Sequence, residues 1–362
     1  MKAIFACAIS VVIVLLLGGI EQSPVAASSS SSKPLITGKE FFRGKNVTLL
    51  VPSDPGTVFD LTARIISDKL KQILDARLVV VKNEGGGHMT AVNYFYNRVK
   101  PDGLTLMHFS LGGRGWSQLM NAPGIEFDVR QFIPVAQMHA PPAQVLQTGG
   151  SLHLKTISDL KSLKQFRVGT TGRYSDSQLL TTLLFENFSL SNAKFIVGYD
   201  STGQVMLAIQ KNEVEANAAI SASGALAQKK AIDSGTYGLF TVYSERRLEA
   251  FPEVPTVFEL GEWRADLKNW LNNTIGICEL KSTWVLPPGT PPDRVAFLRQ
   301  VFEDLWKDSQ VNKGMMDMYK GYAMFRSGSE TEQVVKKTFP KQKLSEGEVA
   351  FLNKLMDKWS SK

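Results

Sequence analysis

Strand-like runs and helix-like segments alternate along the first third of this chain. Residues 47–51 are apolar and partly β-branched, as in a buried strand. A helical face follows it, formed by Phe59, Ala63, Ile66, Leu70 and Ile73. Residues 78–81 and 104–109 are further strand-like runs, with a helical pattern over residues 91–99 between them. This βαβαβ order predicts a parallel sheet with helices on its faces.

The same alternation starts again near residue 146. It consists of a capped helix start at 156–160, a strand at 166–169, a helix at 176–187, a strand at 195–197, a helix around Val205 to Ile209 and a strand at 214–220. A Pro-rich break at residues 287–292 then precedes an amphipathic helix over residues 293–306. The pattern predicts two α/β lobes, each a mostly parallel sheet flanked by helices, with a ligand expected at the carboxyl ends of the strands.

The predicted boundaries divide the chain into four parts. Residues 1–27 form a signal peptide and residues 28–45, which include five consecutive serines, form a flexible tether. The first lobe takes residues 46–145 plus 276–362, and the second lobe takes residues 146–275.

The N-terminal residues are typical of an exported protein. Lys2, a mostly apolar stretch over residues 3–20 and small residues at Val25 and Ala27 predict cleavage near Ala27. The alternative is an uncleaved anchor, since an apolar stretch of roughly eighteen residues can just span a bilayer. Cleavage would leave Cys278 as the only cysteine, so the mature protein would contain no internal disulfide.

Composition argues against several classes of function. Hydrophobic residues make up 43% and charged residues 21% of the 362-residue chain, as in a globular protein. No pair among the four histidines and two cysteines stands at ligand spacing, so we predict no metal and no cofactor. The net charge of +7 comes without a dense Lys/Arg run, which favours anionic small molecules over nucleic acid as partners.

Three strand-to-helix junctions have the chemistry of an anion site, and the first runs from Ser53 to Asp60. Thr57 can cap the following helix, and Asp60 stands three residues later, which is close to a capping box. Backbone amides at a helix start, with the helix dipole behind them, suit a carboxylate. We therefore predict ligand contacts from Ser53, Gly56, Thr57, Phe59 and Asp60, with Asp60 mainly fixing the loop. The alternative is that these residues cap the helix and do nothing more.

The other two junctions lie in the predicted second lobe. At residues 169–177, Gly169, Thr171 and Ser175 offer amides and hydroxyl groups, and Arg173 could add a bidentate contact. The alternative for Arg173 is a solvated loop charge. At residues 199–204, Thr202 and Gly203 begin the next helix, and capping alone is again the alternative. Three such junctions in two lobes predict one shared interlobe cleft.

No catalytic motif stands out in the chain. The Gly-x-Ser-x-Gly elbow is missing from the strand–helix junctions, and acidic residues and histidines do not cluster as an acid–base pair. The glycine run at 85–87 lacks the Gly-Lys-Ser/Thr ending of a phosphate-binding loop. We therefore predict a binding protein rather than an enzyme.

The order of these features resembles the Bug family, the periplasmic solute-binding receptors of tripartite tricarboxylate transporters. The resemblance runs from about residue 47 to residue 311. It is carried by Val-Pro at 51–52 through Arg64 and by residues 79–87, 101–106, 252–257 and 288–291. The family implies a type II periplasmic-binding fold, in which two lobes close on a ligand like a flytrap.

The same resemblance implies a function and a set of site residues. A small carboxylate would be captured between the lobes by backbone amides, hydroxyl groups and bridging waters, then delivered to a membrane permease of two other subunits. The matching positions are Ser53, Gly56, Thr57 and Asp60 in one lobe and Gly169, Thr171, Ser175, Thr202 and Gly203 in the other. The receptor would be a periplasmic monomer.

This chain departs from the family pattern at several positions. Thr57 stands where the family usually has a second glycine, Arg173 lies in a loop that is normally uncharged, and Ala219 replaces a frequent acidic residue. Residues 261–283 are longer than usual and include Trp263 and Trp270. These departures leave the carboxylate open and admit a larger or more aromatic one. Two other functions also stay open, a ligand sensor for a membrane kinase and a periplasmic enzyme on a similar scaffold.

Overall fold

Two mixed β-sheets form the centre of the structure, a computed structural model that describes residues 38–53, 57–81, 89–141, 143–170, 176–199 and 202–360. The predicted signal peptide lies outside these residues. The strands are β1 Asn46–Leu50, β2 Arg77–Val81, β3 Thr105–Phe109, β4 Ile133–His139, β5 Gln144–Gly149, β6 Phe166–Thr170, β7 Ala193–Val197, β8 Ala216–Ser221, β9 Tyr237–Tyr243, β10 Thr283–Leu286 and β11 Met324–Ser327.

Helices flank both sheets. They are α1 Gly38–Phe42, α2 Val58–Leu74, α3 Met89–Arg98, α4 Leu111–Leu119, α5 Ile157–Ser162, α6 Asp176–Phe188, α7 Thr202–Gln210, α8 Ala222–Ala227, α9 Lys229–Asp233, α10 Ala265–Glu279, α11 Pro292–Lys307, α12 Ser309–Met318, α13 Gly328–Thr338 and α14 Glu346–Trp359. Among the described residues, no helix is long and apolar enough to cross a membrane.

The first sheet has the strand order β11-β4-β10-β3-β1-β2. Parallel pairing joins β1 to β2 and to β3, which confirms the predicted βαβαβ unit. In contrast, β10 runs antiparallel to β3 and β4, and β11 runs antiparallel to β4. β10 and β11 come from the C-terminal part of the sequence. The pattern of neighbouring segments therefore could not predict that they pair with strands of this sheet.

The second sheet has the strand order β7-β6-β8-β5-β9. Three of its strands, β7, β6 and β8, are parallel to one another, as the alternation of strands and helices requires. The exception is β5, which lies between β8 and β9 and runs antiparallel to both. β5 directly follows β4 of the first sheet and precedes the parallel unit of β6, β7 and β8.

The helix α2 shows how the sequence pattern produces burial. Ala63, Ile66 and Leu70 are fully buried, whereas Phe59 and Ile73 at the two ends of the predicted face are half-buried. Burial of a side chain such as Ile66 or Leu70 contributes about 1.5–3 kcal/mol. The helix ends at Asp75, which adopts a left-handed conformation with φ of 51°.

The chain passes between the sheets more than once. One passage leads from β4 to β5, and residues 280–282 lead from α10 back to β10. At the C-terminus, α14 packs on α6, where the Phe185 and Trp359 ring centroids lie 5.5 Å apart. The sequence places residues 276–362 in the first lobe, and that boundary stays a prediction, because α14 contacts a helix of the second sheet.

The helix α1 belongs to the folded part of the chain. Phe42 is fully buried, and its ring stacks on Phe297 with centroids 5.6 Å apart. The sequence predicts a flexible tether over residues 28–45, but residues 38–42 are helical and packed. That prediction is wrong for this part, because two adjacent phenylalanines at the end of the segment find a partner on α11.

Candidate ligand-binding site

Two cavities adjoin where the carboxyl ends of strands from both sheets meet. The first has a volume of about 270 Å³, and its lining includes Phe59, His139, Ser221, Lys281 and Tyr319. The second has a volume of about 370 Å³, and its lining includes Thr170, Asp176, Thr202, Asn217, Ser221 and Lys281. Because Ser221 and Lys281 line both, the two cavities are neighbours, and together they are called the cleft region below. This is the place where an open α/β sheet is expected to bind a ligand.

The start of α2 borders the first cavity. Ser53 is buried, and its hydroxyl oxygen lies 2.7 Å from that of Thr57. Thr57 is the N-cap residue, but its side chain makes no cap hydrogen bond to the helix. The near capping box expected at Thr57 and Asp60 is therefore wrong, because the Thr57 hydroxyl pairs with Ser53 instead.

Asp60 is held by its own helix. Its carboxylate is almost completely buried, and Arg64 donates a hydrogen bond from Nε to Oδ2 over 3.0 Å. The Arg64 side chain itself is largely exposed. A buried carboxylate beside the first turn interacts favourably with the positive end of the helix dipole. This geometry suits a residue that fixes the start of α2.

A buried histidine supports this helix start from the sheet. His108 on β3 places Nδ1 3.2 Å from the carbonyl oxygen of Phe59 and Nε2 3.0 Å from the hydroxyl of Ser282. Its ring stacks on Trp284 with centroids 4.2 Å apart and an angle of 7° between planes. Burial lowers the pKa of His108 to about 3, so the imidazole is neutral. Since a carbonyl can only accept, Nδ1 carries the single proton of the neutral ring and donates to Phe59, while the Ser282 hydroxyl donates to the carbonyl oxygen of Met138 over 3.1 Å.

An ion pair stands where the two cavities join. The ammonium of Lys281, in the passage from α10 to β10, lies 3.0 Å from Oδ2 of Asp176, the first residue of α6. Burial alone would raise the pKa of Asp176, but the Lys281 charge and hydrogen bonds from Lys281, Cys278 and Ser177 lower it. Burial would likewise lower the pKa of Lys281, and Asp176 raises it instead. Both groups are therefore charged near neutral pH.

Cys278 is the third member of this cluster. Its thiol donates a hydrogen bond to Oδ2 of Asp176 over 3.3 Å, and the residue is 1% exposed. Burial, followed by the neighbouring Asp176 carboxylate, raises the pKa of the Cys278 thiol well above its usual range. The thiol is thus a weak donor that helps to hold Asp176, and it has little thiolate character.

Asn217 on β8 contributes a buried polar group to the cavity wall. The residue is 4% exposed and lines the second cavity, and its Nδ2 atom has no hydrogen-bond partner among the described residues. An unmade hydrogen bond of a buried donor costs about 1–3 kcal/mol. A donor that is left in this state at a cavity wall is suited to an acceptor on a ligand.

Apart from Gly169, the predicted site residues divide by where the structure places them. Phe59 lines the first cavity and Thr202 lines the second. Ser53, Thr57 and Asp60 cluster at the start of α2, and Gly203 is exposed on α7. Four predicted residues lie outside the described part of the chain, and their placement stays a prediction: Gly56, Thr171, Arg173 and Ser175.

Gly169 has a packing role in the structure. A Cβ atom at this position would lie 2.6 Å from Cγ1 of Val205 on α7 and 3.2 Å from the Tyr199 ring. Glycine therefore lets α7 approach the end of β6 closely. Any ligand contact of Gly169 stays a prediction.

Sequence reasoning missed the cluster at the junction of the cavities. Lys281 lies in the segment of residues 261–283, which stands out by its length and its two tryptophans, and Asp176 lies within the second junction without an assigned role. Asn217 lies within the predicted strand at residues 214–220, and the sequence pattern assigns it no role. A polar residue inside the apolar run of β8 was the one available signal, since buried asparagine requires a partner.

Other parts of the structure offer less chemistry for a ligand. No group of three His, Cys, Asp or Glu residues that could hold a metal ion occurs in the described ranges. Another cavity of about 370 Å³ lies beside residues 244–250 and 321–324. The guanidinium of Arg247 at that cavity binds Glu259 over 2.7 Å, and the starts of α2, α6 and α7 do not line it.

Comparison with known proteins decides the family. The model of the tripartite tricarboxylate transporter family receptor matches residues 62–336. This chain belongs to that family. The resemblance to the Bug receptors seen in the sequence is thereby confirmed.

Relatives and solved structures of receptors agree with this assignment. A UPF0065 protein of Bordetella pertussis is 24% identical over 255 residues, which cover 69% of this chain and 73% of the relative. A TctC solute-binding protein from Polaromonas superposes with a TM-score of 0.63 at 20% identity, covering 87% of this chain and 98% of that protein. The fold is thus the two-lobe α/β fold of periplasmic binding proteins.

Two further structures of the same fold contain ligands. MatC from Rhodopseudomonas palustris, solved with bound malate, matches with a TM-score of 0.55 at 20% identity, covering 87% of this chain and 97% of that protein. Another R. palustris protein, solved with adipate, matches with a TM-score of 0.58 at 19% identity and the same coverage.

Proposed function

We propose that this receptor captures a small carboxylate between its two lobes outside the cytoplasm and delivers it to a tripartite tricarboxylate-type permease. Membership of the receptor family supports binding without chemical conversion. The ligands of the two R. palustris proteins, malate and adipate, support a carboxylate. An exported, periplasmic location agrees with the basic and apolar N-terminal residues.

One observation carries the proposal. The cleft region is lined by residues from the start of α2 in one sheet unit and from the starts of α6 and α7 in the other. Helix starts present unpaired backbone amides and the positive end of the helix dipole, so they bind anions without a dedicated cation. A ligand that contacts both sides would favour the closed arrangement of the lobes, which is the signal a permease could recognise.

The direct test is a thermal-shift screen of the purified protein with mono-, di- and aromatic carboxylates. We expect at least one carboxylate to raise the melting temperature in proportion to the logarithm of its concentration. The matching alcohols and amines, which lack the anion, should give no shift. The proposal fails if no carboxylate binds, or if a carboxylate that binds is chemically converted during incubation.

Delivery needs a separate experiment. The permease subunits would be reconstituted in proteoliposomes, and uptake of the labelled carboxylate would be measured with and without the receptor. We expect uptake only when the loaded receptor is present. Uptake that is independent of the receptor, together with ligand-dependent binding to a membrane kinase, would favour the sensor instead.

A further inference from the structure

The cluster where the two cavities join is electrically balanced. Three charged residues stand among the described lining residues, namely Asp176, Glu279 and Lys281. Lys281 pairs with Asp176 at 3.0 Å, and Glu279 pairs with Arg326 at 3.0 Å. His139, which lines the first cavity, is neutral because burial lowers its pKa to about 4. The described wall therefore offers no excess positive charge at this point.

The same place offers hydrogen-bond donors. The Nδ2 group of Asn217 is buried and has no partner among the described residues. Lys281 has three N–H donors, of which the Asp176 contact accounts for one, and its side chain is 37% exposed at the cavity wall. Both groups can only donate, so the ligand atom that meets them has to be an acceptor.

Electrostatics separates a charged acceptor from a neutral one. A ligand carboxylate at Lys281 would approach Asp176 as well, and repulsion by Asp176 would cancel much of the attraction by Lys281. It would also lose its hydration in a partly buried site. A neutral oxygen, as in a carboxamide, loses less hydration and still accepts a charge-assisted hydrogen bond from the lysine.

We propose that Lys281, held by Asp176, and Asn217 form a subsite for a neutral hydrogen-bond acceptor at the far end of the ligand, so that the receptor prefers a monocarboxylate with such an acceptor over a dicarboxylate. The inference rests on the proposed function, with the first carboxylate at the start of α2, which lines a cavity that Asp176 does not line. Asp176 acts as a specificity determinant, because its negative charge offsets the positive charge of Lys281, while the N–H groups of the lysine remain hydrogen-bond donors.

The test compares ligand pairs that differ only at the far end. Binding of succinate, glutarate and adipate to the full chain would be measured by calorimetry beside binding of their monoamides. We expect the best monoamide to bind about tenfold more tightly than the diacid of the same length. This comparison uses the unaltered protein, so it does not depend on the folding of any variant.

Two variants identify the residues responsible. Asp176→Asn should shift the monoamide-to-diacid preference about tenfold toward the diacid, since the lysine charge is then unopposed. Asn217→Leu should weaken monoamide binding about tenfold by removing the donor. Asp233→Asn is the matched control, because it removes the exposed Lys229–Asp233 pair of α9, and it should leave the preference unchanged.

The outcomes separate the two proposals. A diacid that binds more tightly than its monoamide, or a preference that Asp176→Asn leaves unaltered, overturns the subsite while the carboxylate receptor stands. If none of these carboxylates, nor any other in the thermal-shift screen, binds the unaltered protein, the proposed function fails and the subsite with it.

Discussion

The Nδ1 atom of His108 lies 3.2 Å from the carbonyl oxygen of Phe59, so a buried imidazole on β3 supports the first turn of α2. Phe59 in turn lines the cavity at the lobe junction. The position of the helix start at the candidate site thus depends on a neutral histidine in the sheet behind it. This dependence has a measurable consequence in acid.

The free energy of unfolding should decrease as the pH is lowered, before the carboxylates begin to titrate. The pKa of His108 is lowered from 6.5 to about 3 in the folded protein, so between these values the unfolded chain binds more protons and stability decreases as pH falls. From about pH 7.5 to about pH 5, His108 should remove about 2 kcal/mol from the free energy of unfolding. Urea titrations at several pH values measure this slope.

The variant His108→Gln tests whether His108 causes this dependence of stability on pH. His108→Gln should be less stable at neutral pH, because it loses the stack on Trp284, but its stability should depend less on pH over the same range. His139, whose pKa is also lowered, leaves part of the slope in place. Equal slopes for the two proteins, or a His108 imidazole that NMR shows protonated in the folded protein at about pH 6, would contradict the assignment.

Thr57→Val should weaken carboxylate binding more than it lowers the melting temperature without ligand. The Thr57 hydroxyl bonds to Ser53 and makes no cap hydrogen bond, so its loss should disturb the loop more than the helix. Calorimetry and thermal melts measure the two effects.

The matched control is a threonine that does cap a helix. Thr156 accepts a hydrogen bond from the Asp159 backbone over 3.2 Å within a complete capping box. Thr156→Val should cost about 1 kcal/mol of stability and leave ligand affinity unchanged. If Thr57→Val behaves like this control, the hydroxyl pair serves the fold alone.

The Cys278 thiol should react slowly in the folded protein. It is buried against Asp176, and its raised pKa leaves little thiolate to attack a reagent. Labelling with iodoacetamide at about pH 8, followed by peptide mapping of Cys278, should show at least about a hundredfold faster modification after unfolding in urea. Rapid and complete modification of Cys278 in the folded protein would show that this cluster is open to solvent.

Gly169→Ala should destabilise the protein by about 1–3 kcal/mol, because the added methyl group meets Val205 at 2.6 Å. The second substitution Val205→Ala should relieve the clash, so the double variant should be more stable than the sum of the single effects predicts. Denaturant titrations of the four proteins form the cycle. Additive effects would mean that β6 and α7 do not press on each other at this position.

Local patterns in the sequence predicted much of the fold. The helical period of α2 and the largely apolar runs of β1 to β3 show which residues face the core. Each pattern can be recognised within a few consecutive residues, so the sequence alone is enough to predict these elements. The capped start of α5 was also readable, since a capping box needs only Thr156 and Asp159. The predicted tether was wrong where α1 packs, because the partner of Phe42 lies far along the chain at Phe297.

The sequence by itself determined the α/β class, the receptor resemblance and the helix starts where an anion could bind. Only the tertiary structure brought Lys281 to Asp176, which lies far from it in the sequence, and placed both on the wall of the same cavity as Asn217. The physical reason is that the periods of helices and strands depend on residues close in sequence. An ion pair across a cleft depends instead on how segments far apart in the sequence pack together. The return through residues 280–282 therefore decided the character of the candidate site.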